Sequence, residues 1–259
     1  MNALLTPSTT EALVHWWPIA SESPDPADLA LLDTGERERL NRMGHPRQAA
    51  QFAGSRAGAR RALARLLQVS PFEVEFGRSP CPGCGDHRHG PPAILRPTSP
   101  FRISVSHSEG CCLLAIARTP IGVDVEGVRD MDTEELGAIA LTPAEQRHVR
   151  AFPPGSARHR AFLRCWTRKE AVLKAVGTGI TTDLTAVETH PGSTGSATVL
   201  AGVPGTPGSW TVSDLATPGK WVATVALPSD VSMSVSLHHP PAVSISNSLG
   251  LDQSAGLDQ

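Results

Sequence analysis

With 259 residues, 40% hydrophobic and 19% charged, the chain has the composition of a globular protein large enough for one big domain or two small ones. The 23 basic and 25 acidic residues leave a formal charge of −2, which removes any global electrostatic reason to expect nucleic-acid binding. Six Phe, five Trp and no Tyr speak against a long stacking platform for single strands. No run of 18 apolar residues is present, so no membrane span is expected, and the opening MNALLTPSTTEALVHWW lacks the basic-then-apolar pattern of an export signal. Five cysteines, an odd number, then predict reduced thiols and a cytoplasmic location.

In chain order, residues 11–19 (EALVHWWPI) read as a first strand, and 21–44 as a loop followed by one or two short helices. Residues 47–68 are Ala- and Arg-rich and predict a helix anchored by Phe52, Leu63, Leu66 and Leu67. Gly54 and Gly58 lower its propensity and suit a close approach. FEVEF at 72–76 alternates as a strand, and the Gly- and Pro-rich stretch 77–100 predicts a long loop. FRISVSHS and CCLLAIA predict two strands joined by a turn at Glu109–Gly110, and IGVDVEG at 121–127 a third. Thr142, Pro143 and Glu145 form a helix-start signal with a capping box. Residues 157–176 are the strongest helix, stopped by GTGI, and strands follow at 221–227 and 231–237. The tail from Pro240, with its repeated GLDQ, predicts disorder.

Three groups of residues can carry chemistry. In IGVDVEG the valines point one way and the carboxylates of Asp124 and Glu126 the other, so two like charges stand side by side. Trp166, Glu170 and Lys174, spaced four apart, share one stripe of the strong helix. Three carboxylates meeting there would make a hard oxygen site suited to Mg²⁺, which cancels their repulsion. Taken alone, a D-x-E strand is a solvated face, and a Glu170–Lys174 pair a surface ion pair of about 0.3–0.5 kcal/mol. Ser106 and His107 close a strand where a hydroxyl and an imidazole could meet phosphate, or else serve as a cap and a loop residue. Arginines 37, 39, 42, 47, 56, 60 and 61 gather before the middle of the first half, as surface charge or as a phosphate clamp. Finally, CPGCGDHRHG offers Cys81, Cys84, His87 and His89 within nine residues. Zinc modules usually draw their second ligand pair from further along, so this segment reads as a loop with free thiols.

The order FRISVSHS, IGVDVEG, WTRKEAVLKAVGTGI resembles the 4′-phosphopantetheinyl transferases of the Sfp type over roughly residues 30–240, through a G-V-D-V-E motif followed by W-x-x-K-E-A-x-x-K. The resemblance implies an α+β fold of two pseudo-symmetric lobes, each a small antiparallel sheet with a long packed helix, and coenzyme A in the cleft between them. The lobes would span 1–119 and 120–239, with 240–259 a tail. It implies Mg²⁺ on Asp124, Glu126 and Glu170, Lys174 at the pyrophosphate, and Ser106 and His107 on a coenzyme A phosphate. Arg39, Arg47 and Arg56 would serve the 3′-phosphate, and Gly90-Pro91-Pro92 the family's Gly-Lys-Pro turn beside the adenine. Catalysis would rest on Glu170 and Lys174, with Glu170 or Glu126 as the base. Pro91 and Gln51 depart from the family's cationic pattern. The implied reaction moves phosphopantetheine from coenzyme A to a serine of an apo acyl or peptidyl carrier protein, in a monomeric enzyme serving secondary metabolism. The rival readings are a Mg²⁺-dependent phosphohydrolase acting on coenzyme A and a non-catalytic coenzyme A or carrier-protein binding module.

Overall fold

The computed structural model describes residues 10–179 and 183–238, so the predicted tail lies outside the described residues. The chain runs β1 (Glu11–Pro18), α1 (Pro26–Leu29), α2 (Thr34–Asn41), α3 (Pro46–Leu67), β2 (Glu75–Arg78), β3 (Pro92–Arg96), β4 (Arg102–Ser108) and β5 (Cys111–Ala117). It continues with β6 (Gly122–Gly127), α4 (Thr133–Ala140), α5 (Pro143–Arg150), α6 (Ser156–Val176), β7 (Ser196–Leu200), β8 (Ser209–Asp214), β9 (Trp221–Pro228) and β10 (Ser234–His238). The architecture is α+β. One four-stranded sheet has the order β10-β1-β5-β4, a second the order β6-β9-β8-β7, and β2 pairs with β3.

Alternation decides the layering. Ala12, Val14, Cys111, Leu113, Ala115 and Ala117 project from one face of the first sheet onto Val123, Val125, Ala223 and Val225 of the second, forming a core between the sheets. Leu13, Leu114 and Ile116 project from the opposite face onto Ala59, Ala62 and Leu63 of α3. Trp210, Val212 and Ala226 do the same for Ala171, Val172 and Ala175 of α6. Each sheet therefore carries its own long helix. The glycines of α3 serve packing: a Cβ at Gly58 would fall 2.4 Å from the Trp17 ring, whose indole N–H donates to the Gly54 carbonyl (3.3 Å).

Four expectations need correction. Residues 72–73 of the predicted FEVEF strand belong instead to a 3₁₀ turn, Pro71–Glu73, capped by Ser70 and Glu73, so Phe72 is exposed and the strand starts at Glu75. The predicted 77–100 loop contains β3, paired with β2 despite its opening proline, because an edge strand tolerates a missing N–H. The sequence reading contains neither α4 nor β7 and β8, although Asp132 caps α4 through the amides of Glu134 and Glu135. Lastly, β10 does not stay with the C-terminal sheet: it runs parallel to β1, Glu11 opposite Ser234 and His15 opposite His238. The first sheet is consequently mixed, and the 120–239 lobe loses its last strand to the other side.

The capping box of α5 does more than start a helix. Glu145 is fully buried, accepts from the Thr142 and Thr189 amides, and lies 2.7 Å from Lys169, itself fully buried on α6. Lys169 also donates to the carbonyls of Leu184 and Val187. The first lysine of the W-x-x-K-E-A-x-x-K stretch thus pins α6 to the chain that follows it. Arg168 beside it grips Asp214 (both oxygens at 3.0 Å) and the carbonyls of Thr189 and His190.

Candidate active site

The two sheets meet edge to edge as well as face to face, and this seam builds the site. Ser104, Ser106 and Ser108 project from β4 toward β6. Their hydroxyls accept the amide hydrogens of Val123 (3.1 Å), Val125 (3.3 Å) and Gly127 (3.2 Å). Those amides lie on an edge strand whose other side pairs with β9, so serine side chains satisfy what a neighbouring strand would otherwise satisfy. The same hydroxyls then donate outward: Ser106 to Asp124 Oδ1 and Ser108 to Glu126 Oε2, both at 2.8 Å.

Helix α6 covers this carboxylate row because Gly122 lets it come close. A Cβ on Gly122 would sit 1.8 Å from the Ala171 carbonyl oxygen and 2.6 Å from the Ala175 nitrogen. At that separation the Lys174 ammonium reaches Asp124 Oδ1 (2.6 Å), Ser106 Oγ (3.0 Å) and the Val123 carbonyl (3.2 Å). Glu170, one turn earlier, stands beside Asp124 and Glu126. Burial, then the Asp124 charge, raises the Glu170 pKa. Burial also raises that of Asp124 against the opposing pull of Lys174. Asp124 Oδ2 and Glu170 Oε1 are buried and have no hydrogen-bond partner among the described residues, while Glu126 turns to Ser108 and to Arg129 (3.1 Å).

Two unpaired carboxylate oxygens on crowded acids are the donor set a hard divalent cation takes. In kind the residues fit Mg²⁺, since Asp124, Glu126 and Glu170 are acceptor-only oxygen ligands, but their oxygens do not all lie within 4.8 Å of one another and Lys174 holds Asp124 Oδ1. Lys174 and Arg129 provide the positive charge that holds two of them.

A cleft of about 700 Å³ opens beside this row, lined from both sides of the seam. Arg39 and Arg56 come from α2 and α3, Arg78 from β2, Gly90 and Pro91 from the β2–β3 connection, Pro92 from the start of β3, His107 from β4, and Lys174, Gly177 and Gly179 from α6 and its end. Among the described residues Arg39 has no carboxylate at ion-pair distance, and its guanidinium stacks 5.0 Å above the Phe52 ring. Arg56 is shared with Glu36 and lies over Phe76. The His107 side chain is accessible at the cleft, yet the protein packed around it, followed by the charge of Lys174, lowers its pKa.

Not every predicted residue arrives. Arg47 pairs with Glu22 on the surface, 69% exposed, and does not line the cleft. Ser106 is buried, and its hydroxyl is saturated: it donates to Asp124 and accepts from Val125 and Lys174, leaving no lone pair or hydrogen for a phosphate. Its work is to hold the acid and the lysine in place. Arg78, absent from the sequence reading, enters the wall through its bond to the Gly90 carbonyl (2.7 Å). Among the described residues no helix is long and apolar enough to cross a membrane.

Residues 120–226 match the sequence model of the 4′-phosphopantetheinyl transferase superfamily. The chain is 34% identical over 174 residues to the 4′-phosphopantetheinyl transferase HetI of Nostoc sp., covering 64% of this chain and 70% of that one. It is 29% identical over 189 residues to a phosphopantetheinyl transferase of Thraustochytrium sp. (65% and 62%). It is 30% identical over 128 residues to enterobactin synthase component D of Escherichia coli strain K12 (48% and 57%).

Proposed function

The chain belongs to the 4′-phosphopantetheinyl transferase superfamily, and from that premise we propose that it is an Sfp-type enzyme moving phosphopantetheine from coenzyme A to a serine of an apo acyl or peptidyl carrier protein. The observation that carries this reading is the meeting of unpartnered Asp124 and Glu170 oxygens with Lys174 beside a cleft rich in cationic side chains. Asp124, Glu126 and Glu170 would hold Mg²⁺, which when bound supplies positive charge to pyrophosphate oxygens. The enzyme acts as a cytoplasmic monomer whose two lobes share the cleft.

The chemistry forms a bond from the carrier serine oxygen to the phosphorus next to pantetheine and breaks the bond to the departing adenosine 3′,5′-bisphosphate. Lys174 lies where it can neutralise charge on the leaving phosphate. Glu170 takes the serine proton. Arg39 and Arg78 line the cleft, where their guanidinium groups would meet the phosphates of coenzyme A, and His107 stands at the same wall. Ser106 and Ser108 orient Asp124 and Glu126.

Intact-mass spectrometry tests the reading. An apo carrier protein incubated with this protein, coenzyme A and Mg²⁺ should gain one phosphopantetheine mass, and EDTA should abolish the gain. Cleaved coenzyme A without a modified carrier would instead establish the hydrolase, and intact coenzyme A with no modification across several carriers the binding module. The placement of the arginines makes a finer prediction. Arg39→Ala should raise the KM for coenzyme A about tenfold or more with little change in kcat, as expected for loss of one charge-assisted phosphate contact. Arg47→Ala should leave both unchanged. Equal effects from the two variants would remove Arg39 from the binding wall.

A further inference from the structure

The tip of the β2–β3 connection brings Cys81, Cys84 and His89 together, with one potential ligand atom from each within 4.8 Å of the others. Cys84 Sγ and His89 Nε2 are 3.2 Å apart. The backbone explains the convergence. The Gly85 amide donates to the Cys81 carbonyl (2.7 Å) with Gly85 at φ 77°, and the Cys81 amide donates to the Asp86 carbonyl (3.0 Å). The turn lets neighbouring residues converge without the distant second pair that zinc modules usually need.

Below the tip the two sides are stitched at Ser79 N to Pro91 O (2.9 Å) and Arg78 to Gly90 O (2.7 Å). Gly90 crosses Ser79 so closely that a Cβ would lie 1.9 Å from the Ser79 carbonyl. The tip itself has almost no apolar side chain to bury, and Cys84, His87 and His89 are exposed. Its shape nonetheless matters: Pro91 and Pro82 press against Gly177 at the end of α6, and His89, Gly90 and Pro91 line the cleft.

We propose that Cys81, Cys84 and His89 bind a zinc ion that clips this connection into the shape that walls the cleft. Two thiolates and an imidazole select zinc over Mg²⁺, and tetrahedral zinc holds such ligand atoms about 3.5–3.8 Å apart. The fourth position faces solvent and takes water. Asp86 is not a ligand, because Arg88 holds it through both carboxylate oxygens. This site is distinct from the carboxylate row, and metal binding there can be tested without the proposed transfer reaction.

The test uses the whole chain, expressed with added zinc, purified with reduced thiols, and measured without coenzyme A or Mg²⁺. Metal analysis should give close to one zinc per chain, lost in Cys84→Ser and in His89→Ala. Replacement by Co²⁺ should produce thiolate charge-transfer bands and tetrahedral d–d bands, a readout on the parent protein that does not depend on a variant folding. A chelator should lower the thermal midpoint of the parent and leave that of Cys84→Ser unmoved. Metal content far below one in the reduced parent, zinc retained by both variants, or cobalt bands without thiolate character would overturn the proposal.

Discussion

Glu170→Gln should lower transfer about 10²-fold or more, the range of a lost general base, while the metal-free protein melts no lower than the parent. The two halves of that expectation have one cause. Glu170 is crowded by Asp124 and Glu126 and partly desolvated, so its folded-state pKa is raised above the ordinary 4.5. For a carboxylate shifted that way, the stabilisation of the protonated form is complete below the unfolded value and is lost as pH rises through the folded one. At neutral pH the ionised Glu170 is therefore a destabilising group in the metal-free fold. Glutamine keeps the shape and removes the charge. Measured against Glu170→Gln, the thermal midpoint of the metal-free parent should fall as pH rises above 4.5, the difference isolating the Glu170 contribution. Added Mg²⁺ should raise the midpoint of the parent more than that of the variant. Parent-like turnover by Glu170→Gln would take this residue out of the mechanism.

Gly122→Ala tests the framework and not the chemistry. The new methyl would meet the Ala171 carbonyl at 1.8 Å and the Ala175 nitrogen at 2.6 Å, and neither can rotate away because both are helix backbone. Strand β6 and helix α6 must separate, which pulls Asp124 from Lys174 and opens the core behind Val123. We expect a loss of roughly 3 kcal/mol or more, at the upper end for overpacking, read by denaturant unfolding. Gly44→Ala is the control: nothing lies within 4 Å of its added Cβ, and its cost should stay within about 0.5 kcal/mol. A Gly122→Ala protein as stable as the parent would mean that the strand and helix are not in direct backbone contact.

Much of this site was legible along the chain because it uses short periods. Alternation placed Asp124 and Glu126 on one side of a strand, and four-residue spacing placed Glu170 and Lys174 on one stripe of a helix. The same alternation held for Ser104, Ser106 and Ser108. Their employment was not legible, because what they bond lies 19 residues away on another sheet's edge. The turn at Ser70 overrode the alternation of FEVEF, since a capped 3₁₀ turn satisfies local amides at once and a strand must wait for a partner. Strands β7 and β8 sit among Gly, Ser and Thr residues whose composition resembles loop, and only the pairing of β7 with β8 and of β8 with β9 makes them strands. The cysteine turn was judged by the spacing of common zinc modules, which did not anticipate a backbone turn this tight.

The parallel pairing of β10 with β1 has a consequence for how the molecule comes to be. Glu11 and Ser236, 225 positions apart, share a hydrogen bond. The edge of β1 therefore waits, unpaired, for a strand near the opposite end of the chain. Closing so long a loop carries a high entropic cost before any contact rewards it, which places this protein among the slow, high-contact-order folders. On the ribosome, the first half emerges with an open edge and a bare apolar face on the same sheet. That nascent half is a natural client for chaperones, and β10, the last of the described strands to be made, is the one that closes it.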